Sequence, residues 1–380
     1  MGSPLANVLL IIYCTQGKVG TSAVLIDDLH AWWLSIPLHT PYFTARAPSG
    51  RAAFDVLLIH MTTSNGTSGW GEACPVDGGY SPETPQTAWE AICRIAPLLR
   101  RASSGDAAER LALEKSKFPF VASAFSEALA AAEHDAVLAP LEHGTAIQLA
   151  GTVNSLDTNQ APRLAAELVE QGYTTLKVKV GLDPASDAVR VREIVSAVGS
   201  AARLRVDANR GYSEADALQF GSNVPEQAIE VFEQPLAADN WAGLERLARN
   251  VPLPLMLDES IYGPADIRRC AGWARAVKLK MSKAGGPRAL IHQIDVARKC
   301  GLDVVIGNGI ASDLGCYHEA LCGVRAGLTN AGEFNGFMKL SHRLLPIHWQ
   351  VANGALYLPA GMSSAPTPSS FAHLTVAAFG

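Results

Sequence analysis

Leu176-Lys177-Val178-Lys179-Val180 begins the stretch whose reading decides the fold. It is followed by Leu204-Arg205-Val206-Asp207-Ala208-Asn209, Val231-Phe232-Glu233-Gln234-Pro235, Leu255-Met256-Leu257-Asp258-Glu259 and Val277-Lys278-Leu279-Lys280-Met281. Each run is short, apolar and closed by charge. From Lys179 to Asp207, Glu233, Asp258 and Lys280 the steps are 28, 26, 25 and 22 positions, each close to the length of one strand plus one helix. Amphipathic spacing fills the intervals at 184–198, 213–220, 240–249 and 264–272.

Working outward, the same alternation continues on both sides. Strands are expected at 147–152, 303–307 and, as an eighth, 333–334, with helices at 159–170, 286–300 and 314–325. A strand–helix unit repeated about eight times predicts a closed parallel barrel, so the α/β class with a modified (β/α)8 TIM barrel is expected over 146–347. Upstream, residues 24–145 read as an α+β capping domain, with strands at 24–37, 53–62 and 69–73 and helices at 84–101 and 119–137. Asn65-Gly66 supplies a hairpin turn, and 38–52 and 74–83 read as loops. Residues 348–380 hold short strand-like runs and are expected to return to the capping domain. Residues 1–23 read as an N-terminal extension, because their apolar run is shorter than the roughly 20 residues of a membrane span and no basic residue precedes it.

A chain of 380 residues is too long for one ordinary core and agrees with two domains. With 48% apolar and 18% charged residues it reads as a globular enzyme without disorder. A net charge of -5 argues against nucleic acid, and no segment asks for a membrane. The 7 cysteines show no metal-type spacing, so a reduced, cytoplasmic setting is expected.

In a strand, residues two apart share a face, so Lys177 projects with Lys179 and Lys278 with Lys280. In a barrel of this kind the strand ends meet on the face that carries the chemistry. Asp207, Glu233 and Asp258 would then stand between Lys179 and Lys280. A charge closing an apolar strand is costly unless paired or metal-bound. Three carboxylates are hard oxygen donors suited to Mg2+, one ion per subunit, with room left for a substrate carboxylate. Asn209 and Glu259 either support these ligands or cap the turns that follow. An ordinary lysine, with a pKa of about 10.4, is a poor base at neutral pH. A neighbouring ammonium and a dication both disfavour its charged form. Lys179 and Lys280 are therefore the candidate acid–base pair, and Lys177 is a candidate for holding the substrate carboxylate. The alternative is that these lysines pack their stems at the rim, a reading that weighs most for Lys278 and Lys283. The chemistry predicted is removal of a proton α to a carboxylate, with the ion meeting the charge that develops on the oxygens.

On these motifs the chain resembles the enolase superfamily, and within it the muconate lactonizing enzyme-like subgroup. The resemblance runs from about residue 24 to the C-terminus. It rests on Gly69-Trp70-Gly71-Glu72-Ala73, Lys177-Val178-Lys179, Asp207-Ala208-Asn209, Glu233-Gln234-Pro235, Asp258-Glu259-Ser260 and Lys280-Met281-Ser282-Lys283-Ala284-Gly285-Gly286. It implies Mg2+ on Asp207, Glu233 and Asp258, acid–base roles for Lys179 and Lys280, a small-molecule carboxylate as substrate and assembly into homo-oligomers. The mandelate racemase-type subgroup places a histidine at the end of the seventh strand, where this chain has Gly307-Asn308-Gly309, with His318 further on.

Two departures bear on the reaction. Cycloisomerase-like relatives carry a glutamate after the seventh strand, and the matching position is Ala311. Dipeptide epimerases carry Asp-x-Asp at the eighth strand to hold an α-ammonium, and this chain has Glu333-Phe334-Asn335. Asn308 is a candidate to touch the substrate or a turn residue between glycines. Tyr42, Phe43 and Arg46 in one capping loop and Tyr80 in the other are candidates to close over it. The expected activity is a Mg2+-dependent lyase or isomerase of a small, amino-acid-like acid, leaning to a dehydratase of the hydroxyproline type. The alternative is a racemase, epimerase or cycloisomerase; a Schiff-base aldolase or a binding protein is more remote.

Overall fold

Alternating apolar residues in the first part of the chain build an antiparallel sheet with one face against helices. The computed structural model describes residues 24–44, 47–76, 83–346, 349–362 and 365–380. Its first strands are β1 (Ile26–Thr44), β2 (Ala47–Thr63) and β3 (Ser68–Ala73). Gly66, at a φ of 82°, makes the turn between β2 and β3. Helices α1 (Pro85–Leu99), α2 (Ser104–Glu114) and α3 (Pro119–Ala132) follow, the first two capped by the side chains of Thr84 and Ser103. Gly69 and Gly71 let β3 press against α3, because a Cβ at either would run into the backbone of Ala128 or Ala124.

The expected loop at 38–52 is a correction. β1 and β2 continue through it as a long ribbon, pairing Tyr42 with Arg51 and Thr44 with Ala47. Pro37 shifts the ladder without ending it, because beyond the sheet proper only one neighbour has to be paired.

The rest alternates as the spacing predicts: β4 (Thr145–Gln148), β5 (Gly151–Val153), α4 (Gln160–Glu170), β6 (Thr175–Lys179), α5 (Pro184–Val198), β7 (Arg203–Asp207) and α6 (Glu214–Ser222). Then come β8 (Ile229–Glu233), α7 (Trp241–Asn250), β9 (Leu255–Leu257), α8 (Pro264–Cys270), β10 (Ala276–Leu279), α9 (Met281–Ala284), α10 (Pro287–Lys299), β11 (Asp303–Ile306) and α11 (Asp313–Arg325). β5 to β11 form one parallel sheet in sequence order. The fold is a modified TIM barrel with a capping domain.

Two barrel expectations change. The strand expected at 147–152 is split, with β4 leaving the barrel to pair antiparallel with a late strand and only β5 joining it. The eighth strand shrinks to a single bridge. Ala150 N donates to Gly332 O at 2.9 Å, and Glu333 N donates to Ile306 O at 2.9 Å, so backbone at 332–333 closes the ring. Gly307, at a φ of 134°, permits that approach, because a Cβ there would meet the Glu333 backbone.

The tail also divides. β12 (Gln350–Ala352) and β13 (Ala355–Leu358) pair with each other and β13 with β4, whereas β14 (Thr375–Phe379) lies antiparallel to β1. The expected return is made by β14 and by Phe371 before it, whose ring lies edge-on to Trp32 at 5.7 Å. Among the described residues no helix is long and apolar enough to cross a membrane.

Candidate active site

The inner faces of the barrel strands build the site in layers. Val231, Met256, Ala276 and Val305 form a small apolar plug of their own. Two positions further along these strands, toward their C-terminal ends, stand Glu233, Asp258 and Lys278, so the period of two that packs the plug also delivers the charges.

The first charged group is a buried network. The Lys177 ammonium lies 2.8 Å from Asp207 Oδ2, 2.9 Å from Glu233 Oε2 and 3.0 Å from Glu333 Oε2. Lys278 reaches Glu233 Oε1 at 3.1 Å and also bonds Glu333. Arg205, wholly buried on β7, binds Glu230 at 3.0 Å and stands 3.5 Å from Glu333 Oε1. Burying an ion costs several kcal/mol, and this network offsets it by matching cations with anions. Burial works against an ionised Glu333, yet Lys177, Lys278 and Arg205 outweigh it and hold its carboxyl well below the usual range. Asp207 is lowered in the same way by Lys177 and Lys179. Glu233 differs: burial, reinforced by the Asp207 charge beside it, raises it to about 7 against the pull of Lys177 and Lys278.

Nearer the mouth, Lys179 donates to Asp207 Oδ2 at 2.7 Å and to Asn209 Oδ1 at 2.5 Å. Burial opposes its charge, but Asp207 prevails and raises its pKa. Lys280, just past β10, donates to Asp258 Oδ2 at 2.6 Å, and Lys283 donates to Asp258 Oδ1 at 2.9 Å. Asp258 is pulled well down by Lys280 and Lys283 despite its burial. Burial leaves the Lys283 amine below its ordinary pKa. Lys179 and Lys280 thus stand at the ends of β6 and β10, with the ends of β7, β8 and β9 between them.

The structure therefore gathers Lys177, Lys179, Asp207, Glu233, Asp258 and Lys280 at one end of the barrel. Lys177 is held by three of the protein's own carboxylates. Asn308 is buried, and its Oδ1 accepts from Ile310 N at 3.1 Å, a turn-forming contact. Tyr42 is half-buried on β1, edge-on to Phe54 at 5.8 Å. Arg46, Tyr80 and the side chain of Phe43 lie outside the described residues. Asn209 Nδ2 donates to Glu259 Oε1 at 3.4 Å, so the two support each other beside Asp207. Lys278 is an interior ammonium, not a rim lysine, because Glu233 and Glu333 both accept from it.

Glu333, Lys278, Arg205 and, beyond them, Lys339 were not singled out for the site by the sequence. Arg205 stands two positions before Asp207 in an apolar strand, a signal equal to that of Lys177 before Lys179. Glu333 has no such signal, because Gly327-Leu328-Thr329-Asn330-Ala331-Gly332 before it is not an apolar run.

The donor set suits a divalent cation: three buried carboxylates at consecutive strand ends supply hard oxygens. The Lys177 ammonium shows that the space between Asp207 and Glu233 accepts a cation. Asp258 is drawn to Lys280 and Lys283 instead, and among the described residues no group of three acidic, histidine or cysteine side chains is arranged to hold a metal ion; the three carboxylates that do converge, Asp207, Glu233 and Glu333, meet at the Lys177 ammonium. The residues fit Mg2+ by their chemistry, with two of the three gathered about one positive charge.

The sequence pattern of the family described as enolase C-terminal domain-like matches residues 160–363, more than half of the chain. The chain belongs to that family. Among curated proteins it is 29% identical to the L-Ala-D/L-Glu epimerase of Bacillus subtilis, over 74% of this chain and 80% of that one. It is also 29% identical to muconate cycloisomerase 1 of Rhodococcus opacus, over 86% of this chain and 92% of that one. The muconate lactonizing enzyme of Pseudomonas fluorescens, solved with muconolactone, superposes with a TM-score of 0.81 at 25% identity, covering 93% of this chain and 100% of that one. This protein is an enzyme of the enolase superfamily, and its relatives are isomerases.

Proposed function

We propose that the protein is an isomerase of the epimerase or cycloisomerase kind, acting at the carbon α to a carboxylate. One observation carries the reading: two lysines, Lys179 and Lys280, flank three strand-end carboxylates, so a substrate carbon at the mouth is approached by an amine from each side. The relatives named above support isomerisation over the dehydration of a hydroxyproline-like acid that the sequence favoured.

One lysine, as the neutral amine, accepts the α-proton, and the electron pair of the C–H bond moves into the carboxylate. The other, as an ammonium, delivers a proton to the opposite face, which inverts the carbon. Asp207, Glu233 and Asp258 would hold Mg2+, one per subunit, and that ion supplies positive charge where negative charge grows on the substrate carboxylate. Asp207 also holds Lys179 in place, and Asp258 holds Lys280, so each acid serves position as well as charge. The remaining expectations (a soluble cytoplasmic homo-oligomer, and a capping domain over 24–145) belong to the same proposal.

The test is deuterium exchange. Protein with Mg2+ in deuterium oxide is incubated with L-Ala-L-Glu, N-acyl amino acids and, with lactone formation as readout, muconate. Turnover of at least one, lost on chelation and lost in Asp207→Asn with an unchanged circular dichroism spectrum, is the expected result. Full activity in demetallated protein, or in Asp207→Asn, would overturn it.

A further inference from the structure

We infer that Lys339 reads the far end of the substrate, forming a subsite for a second carboxylate and turning away a free ammonium. This rests on the isomerase reading and deepens it. Lys339 ends the short turn Gly336–Lys339 that follows Glu333-Phe334-Asn335. Its ammonium donates to Gly309 O at 2.7 Å and to Asn335 Oδ1 at 3.4 Å, and it lies 5.5 Å from the centre of the Tyr42 ring. It therefore sits where β1, the loop after β11 and the segment closing the barrel meet.

Among the described residues every partner it has is neutral. Lys177, Lys179, Lys278, Lys280 and Lys283 each have a carboxylate within 3.1 Å. Among the described residues no carboxylate lies within ion-pair reach of Lys339. Burial pushes its amine below the ordinary value against the weaker pull of Tyr42, Cys316 and Glu333, and Lys179 adds a little to that push. Lys339 is half-buried, and a cation partly withdrawn from water without an ion-pair partner is disfavoured, a cost that an arriving anion reduces.

The acids nearby cannot serve an ammonium there. The Glu333 carboxylate is already shared among Lys177, Lys278 and Arg205. Two residues on, Asn335 is neutral and already accepts from Lys339. A substrate amine at this end would meet positive charge, whereas a carboxylate would meet the Lys339 ammonium beside the Tyr42 ring.

Calorimetry on the Mg2+-loaded full chain tests this with the α,ω-dicarboxylates from succinate to adipate, each against its monoamide. At least one dicarboxylate should bind about tenfold or more tightly than its monoamide, the size of one charge-assisted contact. Lys339→Gln should remove that preference and leave monoamide binding unchanged, and Lys339→Arg should retain it. Equal affinities throughout the series, or a preference that survives in Lys339→Gln, would overturn the inference. Deuterium exchange separates the two claims. Exchange without a charge preference sinks Lys339 alone, and a charge preference without exchange on any probe sinks the isomerase reading.

Discussion

Two groups of buried carboxylates, at the barrel mouth and at the seam between the cap and α11, are treated in opposite ways. At the mouth, Asp207, Asp258 and Glu333 face lysines and are held below their ordinary pKa. At the seam, Glu72 accepts from Ser312 N at 2.8 Å and Gly315 N at 3.3 Å, and Glu127 accepts from Ser123 Oγ at 3.0 Å and contacts His318 Nδ1 at 3.2 Å. Glu319 accepts from Met281 N at 2.9 Å. Among the described residues no lysine or arginine pairs with these three. Burial raises Glu72 to about 7 and Glu127 and Glu319 to about 8. Depth alone therefore does not set the charge of a buried acid; its partner does. Glu233, beside both Asp207 and two lysines, lies between the extremes.

The contrast breaks most visibly at its richest cation. Lys177→Met would leave Asp207, Glu233 and Glu333 short of positive charge, and denaturant unfolding should show a loss of about 3–5 kcal/mol. A loss under about 1 kcal/mol would mean that the network does not compensate itself as described.

At the seam the effect is a pH dependence. The native state keeps the Glu127 proton up to about 8, whereas the unfolded chain releases it near 4.5. The native state thus binds the extra proton in that window, so this residue's contribution falls as pH rises through it. Its size is on the order of 4 kcal/mol. Glu127→Gln should flatten stability between pH 5 and 8, measured against the wild type at each pH, and should gain on it at the alkaline end. An unchanged slope would place an ionised carboxylate at the seam. The smallest effect is expected where neither rule applies: Arg249 and Glu245 pair at 2.5 Å on an exposed helix face, and Arg249→Ala should change stability by less than about 0.5 kcal/mol.

Local pattern explains what could be read in advance. Strand-end charges such as Asp207 and Lys280 were legible because alternation and βα spacing are properties of neighbouring residues. Glu333 was not, because its value lies in a contact with Lys177 made 156 positions away, after the barrel closes. The same holds for Lys278, whose two acids come from β8 and the closing segment. The ribbon at 38–52 was hidden because Pro41, Pro48 and Gly50 mimic a loop, whereas a two-stranded ribbon tolerates them. The split at β4 was hidden because Ile147 to Thr152 carry one continuous apolar pattern, and only the competing strand β13 divides it.

The two-lysine mechanism is tested most directly by following α-deuterium exchange for each configuration of one substrate in Lys179→Met and Lys280→Met. Each variant should lose exchange with one configuration and keep it with the other, in opposite senses. Exchange with both configurations in either variant would contradict the account.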